Sequence, residues 1–187
     1  MTVRSAPSKM TYQDLLRLPE DRLRHELIDG EHIVSPAPTL RHQQVAFNLA
    51  FAISAFVRPR ALGKVFMAPV DVLFSQFDVV EPDVLYVSQT NAPRLRERYV
   101  EGAPDLAIEV LSPSSVRIDK VRKLGLFERH GVPEYWLADP VEDTLEVYRL
   151  TAAGRLTLQA SLSHAAGDVL ETPLLAGLRI PLSDIFG

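Results

Sequence analysis

The positions of apolar residues along the chain predict both helices and strands. Apolar side chains recur at helical spacing in 11–18, 40–57 and 116–130, and Thr11 and Thr39 are suited to cap the first two helices. Strand patterns cover 25–28, 31–34, 64–74, 79–87, 105–111, 134–138, 145–150 and 156–160, where 64–74 is either two strands or one bent at Pro69. A last helical turn is expected at 181–186. This order indicates an α/β or α+β domain with a mixed sheet.

Two connections constrain the topology. Asp29 and Gly30 stand between two short strand patterns and suit a type I′ turn, so 25–34 is predicted to be a hairpin. The link from Leu111 to Tyr135 is long enough for a βαβ crossover. The strands at its two ends are therefore expected to be parallel.

Two acids interrupt strand patterns that are otherwise apolar. Asp83 lies in 79–87 and Glu109 in 105–111. A charged side chain is costly to bury unless it is paired or binds a metal. If the strands are neighbours, both carboxylates reach one point, and the backbone carbonyl of Val110 would complete a set of hard oxygen donors for Mg²⁺. The structural alternatives are a simple strand start for Asp83 and a buried ion pair with Lys123 or Arg122 for Glu109.

A lysine from the helix after Glu109 would complete such a site. Lys120 and Lys123 are three residues apart, which predicts that they share one helix face. Lys123 precedes Leu124 on the expected core side and is the first choice, with Lys120 second. An ammonium group there could orient an attacking water and stabilise charge developing at phosphorus. The alternative for Lys123 is an ordinary solvated lysine.

Composition narrows the class of protein. The 187 residues suit a single domain over 1–187 with a flexible segment at 1–10, and the absence of cysteine excludes disulfides and thiolate zinc sites. Neither a signal peptide nor a run of about 20 apolar residues is visible, so a cytoplasmic protein is expected. The net charge of −4 argues against indiscriminate binding of nucleic acid, although basic residues gather in 117–130, beside the two acids.

Several runs of the sequence resemble one known family. They are Pro82–Asp83, 102–115 and 131–140, joined by the N-terminal runs 26–31, 35–38 and His42–Gln43. Together they resemble the Uma-two-type endonucleases of the PD-(D/E)xK, or restriction-endonuclease-like, superfamily. The resemblance extends from about residue 20 to the C-terminus.

The resemblance implies a restriction-endonuclease-like α/β core, with a mixed sheet flanked by helices, an added N-terminal hairpin and C-terminal strands. It implies a Mg²⁺ site, with Mn²⁺ as a substitute, in which Asp83 and Glu109 are the metal ligands. Leu111 stands where the superfamily pattern has its lysine, so Lys123 is taken as a lysine displaced to the helix. Glu26 is either an additional acid of the site or the partner of a nearby arginine, Arg22 or Arg24.

The favoured function is therefore a Mg²⁺-dependent endonuclease that hydrolyses DNA phosphodiester bonds. The alternatives are a catalytically silent module that binds nucleic acid or protein, and a phosphoesterase acting on small nucleotides. By analogy with the superfamily a homodimer is expected, with the apolar strands after Leu145 as its interface. His42 is read as a hydrogen-bonding residue at a helix end, and Asp71 and Asp105 as strand-edge or turn acids.

Overall fold

A computed structural model describes residues 9–187 except 20, 22 and 114. The α-helices of the described chain are α1 (Tyr12–Leu15), α2 (Leu40–Val57), α3 (Leu124–Arg129) and α4 (Leu182–Phe186). The strands are β1 (Arg24–Ile28), β2 (Glu31–Ser35), β3 (Gly63–Met67), β4 (Asp71–Ser75), β5 (Asp78–Val80), β6 (Val84–Ser88), β7 (Tyr99–Glu101), β8 (Leu106–Val110), β9 (Glu134–Asp139), β10 (Thr144–Leu150), β11 (Leu156–Ser163), β12 (Val169–Glu171) and β13 (Arg179–Pro181). A π-helical turn, Ile118–Lys123, leads into α3, and 3₁₀ turns lie at Gln89–Arg94 and Pro173–Leu175.

The local signals of the sequence are confirmed. Thr11 and Thr39 cap α1 and α2 through their side chains, although α1 ends three residues earlier than predicted. Asp29 and Gly30 both have positive φ, as a type I′ turn requires, and join β1 to β2 in an antiparallel hairpin. The expected flexibility of 1–10 falls largely on residues 1–8, which lie outside the described residues.

The strands form two large sheets and one small one. The first has the order β2-β1-β5-β4-β7, the second β11-β10-β9-β8-β6-β3, and β12 pairs with β13. The predicted parallel pair across the crossover is confirmed, because β8 and β9 run parallel in register from Leu106↔Glu134 to Val110↔Ala138. A second parallel pair, β4 with β7, makes the first sheet mixed as well.

The chain passes from one sheet to the other at two prolines. The segment 64–74 is two strands, β3 and β4, in different sheets, with Pro69 between them. The prediction of one strand over 79–87 is wrong, since β5 and β6 also belong to different sheets and are separated by Pro82. Proline has no backbone N–H for a strand ladder, so strand pairing stops there. Asp83 thus lies immediately before β6.

The two faces of the six-stranded sheet bury two separate cores. On one face Val84, Tyr86, Leu106 and Ile108 pack with α2 and the C-terminal elements. On the other face the alternate residues of β6, β8 and β9 pack with the five-stranded sheet and α3; they are Leu85, Val87, Ala107, Tyr135 and Leu137. The candidate site lies on this second face, where the two sheets meet. None of the described helices is long and apolar enough to cross a membrane.

Candidate active site

Asp83 and Glu109 meet across the ladder between β6 and β8. These strands pair antiparallel from Tyr86↔Leu106 to Val84↔Ile108, so the next step of the register sets Asp83 opposite Glu109. Oδ2 of Asp83 accepts a 2.8 Å hydrogen bond from the backbone N–H of Val110. Both acids are buried, with 3% and 2% of their surface exposed. The two side chains line the same pocket, as the predicted pairing of their strands requires.

Strand β1 of the other sheet supplies an arginine and an acid to the same point. Arg24 and Glu26 alternate with the core residue Ile28 on the face of β1 that is turned to the six-stranded sheet. Nη2 of Arg24 donates to Oδ1 of Asp83 at 2.7 Å, and its Nη1 lies 4.0 Å from Oε2 of Glu109. One guanidinium therefore faces both carboxylates.

Lys123 joins the acids from the helical side. Its Nζ lies 2.8 Å from Oε1 of Glu109, 2.8 Å from Oε1 of Glu26 and 3.7 Å from Oδ1 of Asp119. The lysine is 2% exposed. This contact is also the buried ion pair with Lys123 that the sequence leaves open as a purely structural role for Glu109. Glu26 pairs with this lysine and also accepts the backbone N–H of Glu81 at 2.8 Å.

The π-helical turn decides which lysine enters the site. The expectation that Lys120 and Lys123 share one helix face is wrong. Lys120 points away and pairs with Glu146 at 3.0 Å, and Val121, one of the apolar residues of the predicted helix 116–130, is 62% exposed. A π-helix bonds residues five apart, so its turn is wider than that of an α-helix and side chains three apart diverge. Such turns are frequent at functional sites.

His42 closes the side of the site next to α2. Its backbone N–H donates to the side chain of the capping residue Thr39, which agrees with the predicted role at a helix end. Its ring also reaches the site, because Nε2 lies 3.2 Å from Oδ2 of Asp83. In the described part of the chain, its buried Nδ1 has no hydrogen-bond partner. The other two acids considered lie elsewhere: Asp71 accepts from the Tyr12 hydroxyl, and Asp105 from the backbone N–H of Ser88.

These side chains line one pocket of about 240 Å³. Its charged or ionisable residues are Arg24, Glu26, His42, Asp83, Glu109, Asp119 and Lys123. The rest of the wall comes from the 35–39 segment before α2 and from the 112–118 segment before the π-helical turn. A larger groove of about 780 Å³ lies on the outer side of α2, but its lining is mostly apolar. The ionisable groups thus mark the smaller pocket as the chemical site.

Burial and neighbouring charges shift the pKa values of Asp83 and Glu109 in opposite directions. Burial alone would raise the pKa of Asp83, but the hydrogen bond from His42 and the charge of Arg24 hold that pKa below its ordinary value. Burial raises the pKa of Glu109 well above its ordinary value, against the opposing charge of Lys123, and the carboxylate of Asp83 raises it further. Burial likewise raises the pKa of Asp119. The pocket lining includes four carboxyl groups, those of Glu26, Asp83, Glu109 and Asp119, but two permanent cations, Arg24 and Lys123. The two positive charges cannot balance all four carboxylates.

The carboxylate and carbonyl oxygens of the pocket are the kind of ligand that Mg²⁺ prefers, although the two central carboxylates form ion pairs with Arg24 and Lys123 in this structure. Among the residues that the structure describes, no three His, Cys, Asp or Glu side chains are placed to hold a metal together. Mg²⁺ does not require three, because it binds through one or two carboxylates and keeps several waters. Asp83, immediately before β6, and Glu109, in β8, offer hard oxygen donors of this kind together with the Val110 carbonyl. The amino groups of Arg24 and Lys123 occupy the same carboxylates.

Sequence reasoning missed two residues of this cluster. Arg24 was considered only as a partner of Glu26, and Asp119 was not considered. The two-residue alternation of Arg24 and Glu26 along β1 was a usable signal for the first. For the second, the signal was the spacing of four residues between Asp119 and Lys123, which places such residues on one helix face.

Fold and site together define a restriction-endonuclease-like protein, a mixed α/β core with acids and a lysine where its two large sheets meet. The chain belongs to the Uma2 family, whose description is "Putative restriction endonuclease" and whose profile matches residues 12–183. Membership of this family supports a nuclease function.

The fold is shared with solved structures. One of them is the crystal structure described as "a putative nuclease belonging to DUF820" from Anabaena variabilis ATCC 29413. The two chains are 24% identical, the likeness covers 95% of this chain and 97% of that one, and the TM-score is 0.78. At this identity the likeness concerns the fold. No curated protein matches the chain.

Proposed function

We propose that the protein is a Mg²⁺-dependent endonuclease that hydrolyses DNA phosphodiester bonds, with Mn²⁺ as a possible substitute. The observation that carries the proposal is the single pocket in which Asp83 stands opposite Glu109 and Lys123 contacts Glu109 at 2.8 Å. Membership of a restriction endonuclease family supports it. The proposal treats residues 1–187 as one restriction-endonuclease-like domain of a cytoplasmic protein.

In this proposal Asp83, Glu109 and the carbonyl of Val110 hold the cation. When bound, the metal supplies a lowered pKa for its water and offsets charge at phosphorus. The Lys123 ammonium, fixed by Glu26 and Glu109, stands beside the acids and favours a negatively charged nucleophile. Glu26 acts as a positioning residue, because it holds Lys123 from the opposite sheet.

The direct test is cleavage of plasmid and single-stranded DNA with Mg²⁺ or Mn²⁺. Asp83→Asn and Glu109→Gln keep the side-chain shape but remove a carboxylate charge from the site. We expect each to lower the rate by about 100-fold or more, because a metal contributes several kcal/mol to such a transition state. Glu146→Gln is a matched control, since Glu146 pairs with Lys120 outside the pocket. Equal rates in the wild type and both site variants would refute the assignment.

The catalytically silent module remains the second candidate, and one observation favours it. The two central acids are already engaged by Arg24 and Lys123, as in a structural ion-pair network. Calorimetry separates the two functions: a nuclease binds Mn²⁺ with a saturable heat that Asp83→Asn removes, whereas a silent module gives none. Turnover of a small phosphodiester without DNA binding would instead identify a phosphoesterase.

The proposed homodimer is suited to cutting both strands. Strand β11 is one of the two edge strands of the six-stranded sheet, and its Leu158 is 51% exposed. An unpaired edge strand can add a second copy through its backbone. Sedimentation of the wild type and of Leu158→Glu tests this proposal, since a charge at the edge should shift the population to monomer.

A further inference from the structure

Arg24 places a permanent positive charge at the centre of the candidate metal site. Its guanidinium bonds Oδ1 of Asp83 at 2.7 Å and faces Oε2 of Glu109 at 4.0 Å. These are the two carboxylates that the proposed function assigns to the metal. A guanidinium and a metal ion cannot both occupy the space between them.

The position of Arg24 differs from that of Lys123 in one respect that matters. Lys123 is 2% exposed and is held by Glu26 and Glu109 together, so it is fixed. The Arg24 side chain is 20% exposed. It lines the catalytic pocket and also a neighbouring pocket of about 330 Å³, on the other side of His42 and Asp83. The long side chain therefore has an adjacent space into which it can move.

We infer that Arg24 has two alternating roles: it occupies the carboxylates in the metal-free protein and, once displaced by the metal, binds the phosphate of the nucleic acid. This inference rests on the proposed function. In the first role the guanidinium competes with the cation for Asp83 and Glu109. In the second it remains at the rim of the same pocket, and its planar fork matches phosphate oxygens in a two-pronged contact.

The two roles predict opposite effects of one substitution. Arg24→Gln removes the competing charge, so Mn²⁺ should bind about tenfold more tightly, within the range by which neighbours of metal ligands alter affinity. The same change removes the phosphate contact, so the KM for DNA should rise while kcat changes less. A residue needed only for folding would not strengthen metal binding.

The test is calorimetry with Mn²⁺ and no DNA, followed by cleavage kinetics, on the full chain. Arg24→Lys keeps a positive charge and should retain the wild-type Mn²⁺ affinity, yet it should not restore the wild-type KM because it lacks the fork. Arg122→Gln is the matched control, since Arg122 pairs with Glu31 and does not line the pocket. Thermal unfolding of each variant shows that it is folded.

The outcomes separate this inference from the proposed function. Tighter Mn²⁺ binding and a raised KM in Arg24→Gln support both. Unchanged or weaker Mn²⁺ binding in Arg24→Gln, in a wild type that binds Mn²⁺ and cuts DNA, overturns the role of Arg24 and leaves the nuclease intact. Absence of saturable Mn²⁺ binding in the wild type and in Arg24→Gln alike overturns both.

Discussion

Nζ of Lys123 lies 2.8 Å from Oε1 of Glu26, and this contact joins the helical segment after β8 to the first strand of the other sheet. Both side chains are about 2% exposed. A buried lysine must have acidic partners to remain charged, and here Glu26, Glu109 and Asp119 provide them. The pair therefore connects the two sheets electrostatically at the point where the chemistry is proposed.

Removing Lys123 should destabilise the protein far more than removing Lys120. Lys123→Ala leaves Glu26 and Glu109 buried without their cation, and we expect a loss of about 3–5 kcal/mol in the free energy of unfolding. Lys120→Ala removes a partly exposed pair with Glu146 and should cost about 1 kcal/mol or less. Urea denaturation of both variants measures the difference. Similar losses for the two lysines would contradict the description of the buried cluster.

The affinity for Mn²⁺ should increase as the pH rises. Burial raises the pKa of Glu109, so at lower pH the metal must displace a proton from this carboxyl group. The dissociation constant should therefore fall with rising pH, by at most about tenfold per unit for one proton, until the raised pKa is passed. Calorimetry at a series of pH values measures this slope. Glu109→Gln should lose both the affinity and its pH dependence, and a flat wild-type profile would count against Glu109 as a ligand.

Glu81 should make the protein less stable at alkaline pH. Burial, together with the charge of Asp71, raises the pKa of Glu81 from 4.5 to about 7. The folded state then binds the proton more strongly than the unfolded state, so stability falls as the pH rises from 4.5 through about 7. At about 1.4 kcal/mol per pKa unit, this corresponds to a loss of roughly 3 kcal/mol above pH 7.

Glu81→Gln should remove that loss. We expect the variant to be up to about 3 kcal/mol more stable than the wild type at pH 8, and less than about 1 kcal/mol more stable at pH 5. Urea denaturation in the presence of a chelator measures both values. Glu142→Gln, at an exposed position, is the control and should show no such difference. A gain in Glu81→Gln that did not depend on pH would exclude this explanation.

The Tyr135 hydroxyl should support the π-helical turn. It donates to the backbone carbonyl of Asp119 at 3.2 Å, inside the turn that carries Lys123. Tyr135→Phe should cost about 1 kcal/mol or more, because it leaves a buried carbonyl without this donor, and should also lower the cleavage rate by shifting Lys123. Tyr148→Phe loses a bond to Glu146 outside the pocket and is the matched control. Full activity in Tyr135→Phe would show that the turn holds without this bond.

The parts of the fold that could be predicted are those with local or register signals. Thr39 as a cap, the Asp29–Gly30 turn and the parallel pair β8–β9 follow from spacing and chain length. The meeting of Asp83 and Glu109 followed from the alternation of side chains, once their strands were assumed to be neighbours.

The rest depends on contacts between distant segments. The division of 79–87 between two sheets is decided by how the sheets pack, and Pro82 alone only permits it. The π-helical turn is not visible in the spacing of apolar residues, which led to the wrong prediction that Lys120 and Lys123 share one helix face. Arg24 enters the site only because β1 docks against the other sheet; its alternation with Glu26 shows that the two share a face of β1 but not what that face contacts.

The origin of the pocket in both sheets has a consequence for folding. Asp83, Glu109 and Lys123 come from the six-stranded sheet and the segment that follows β8, whereas Arg24 and Glu26 arrive only when β1 docks. A chain with undocked sheets therefore holds Lys123 without the acid that positions it. Recovery of the proposed cutting activity after dilution from denaturant should accordingly be the last signal to return, later than the far-ultraviolet circular dichroism of the strands.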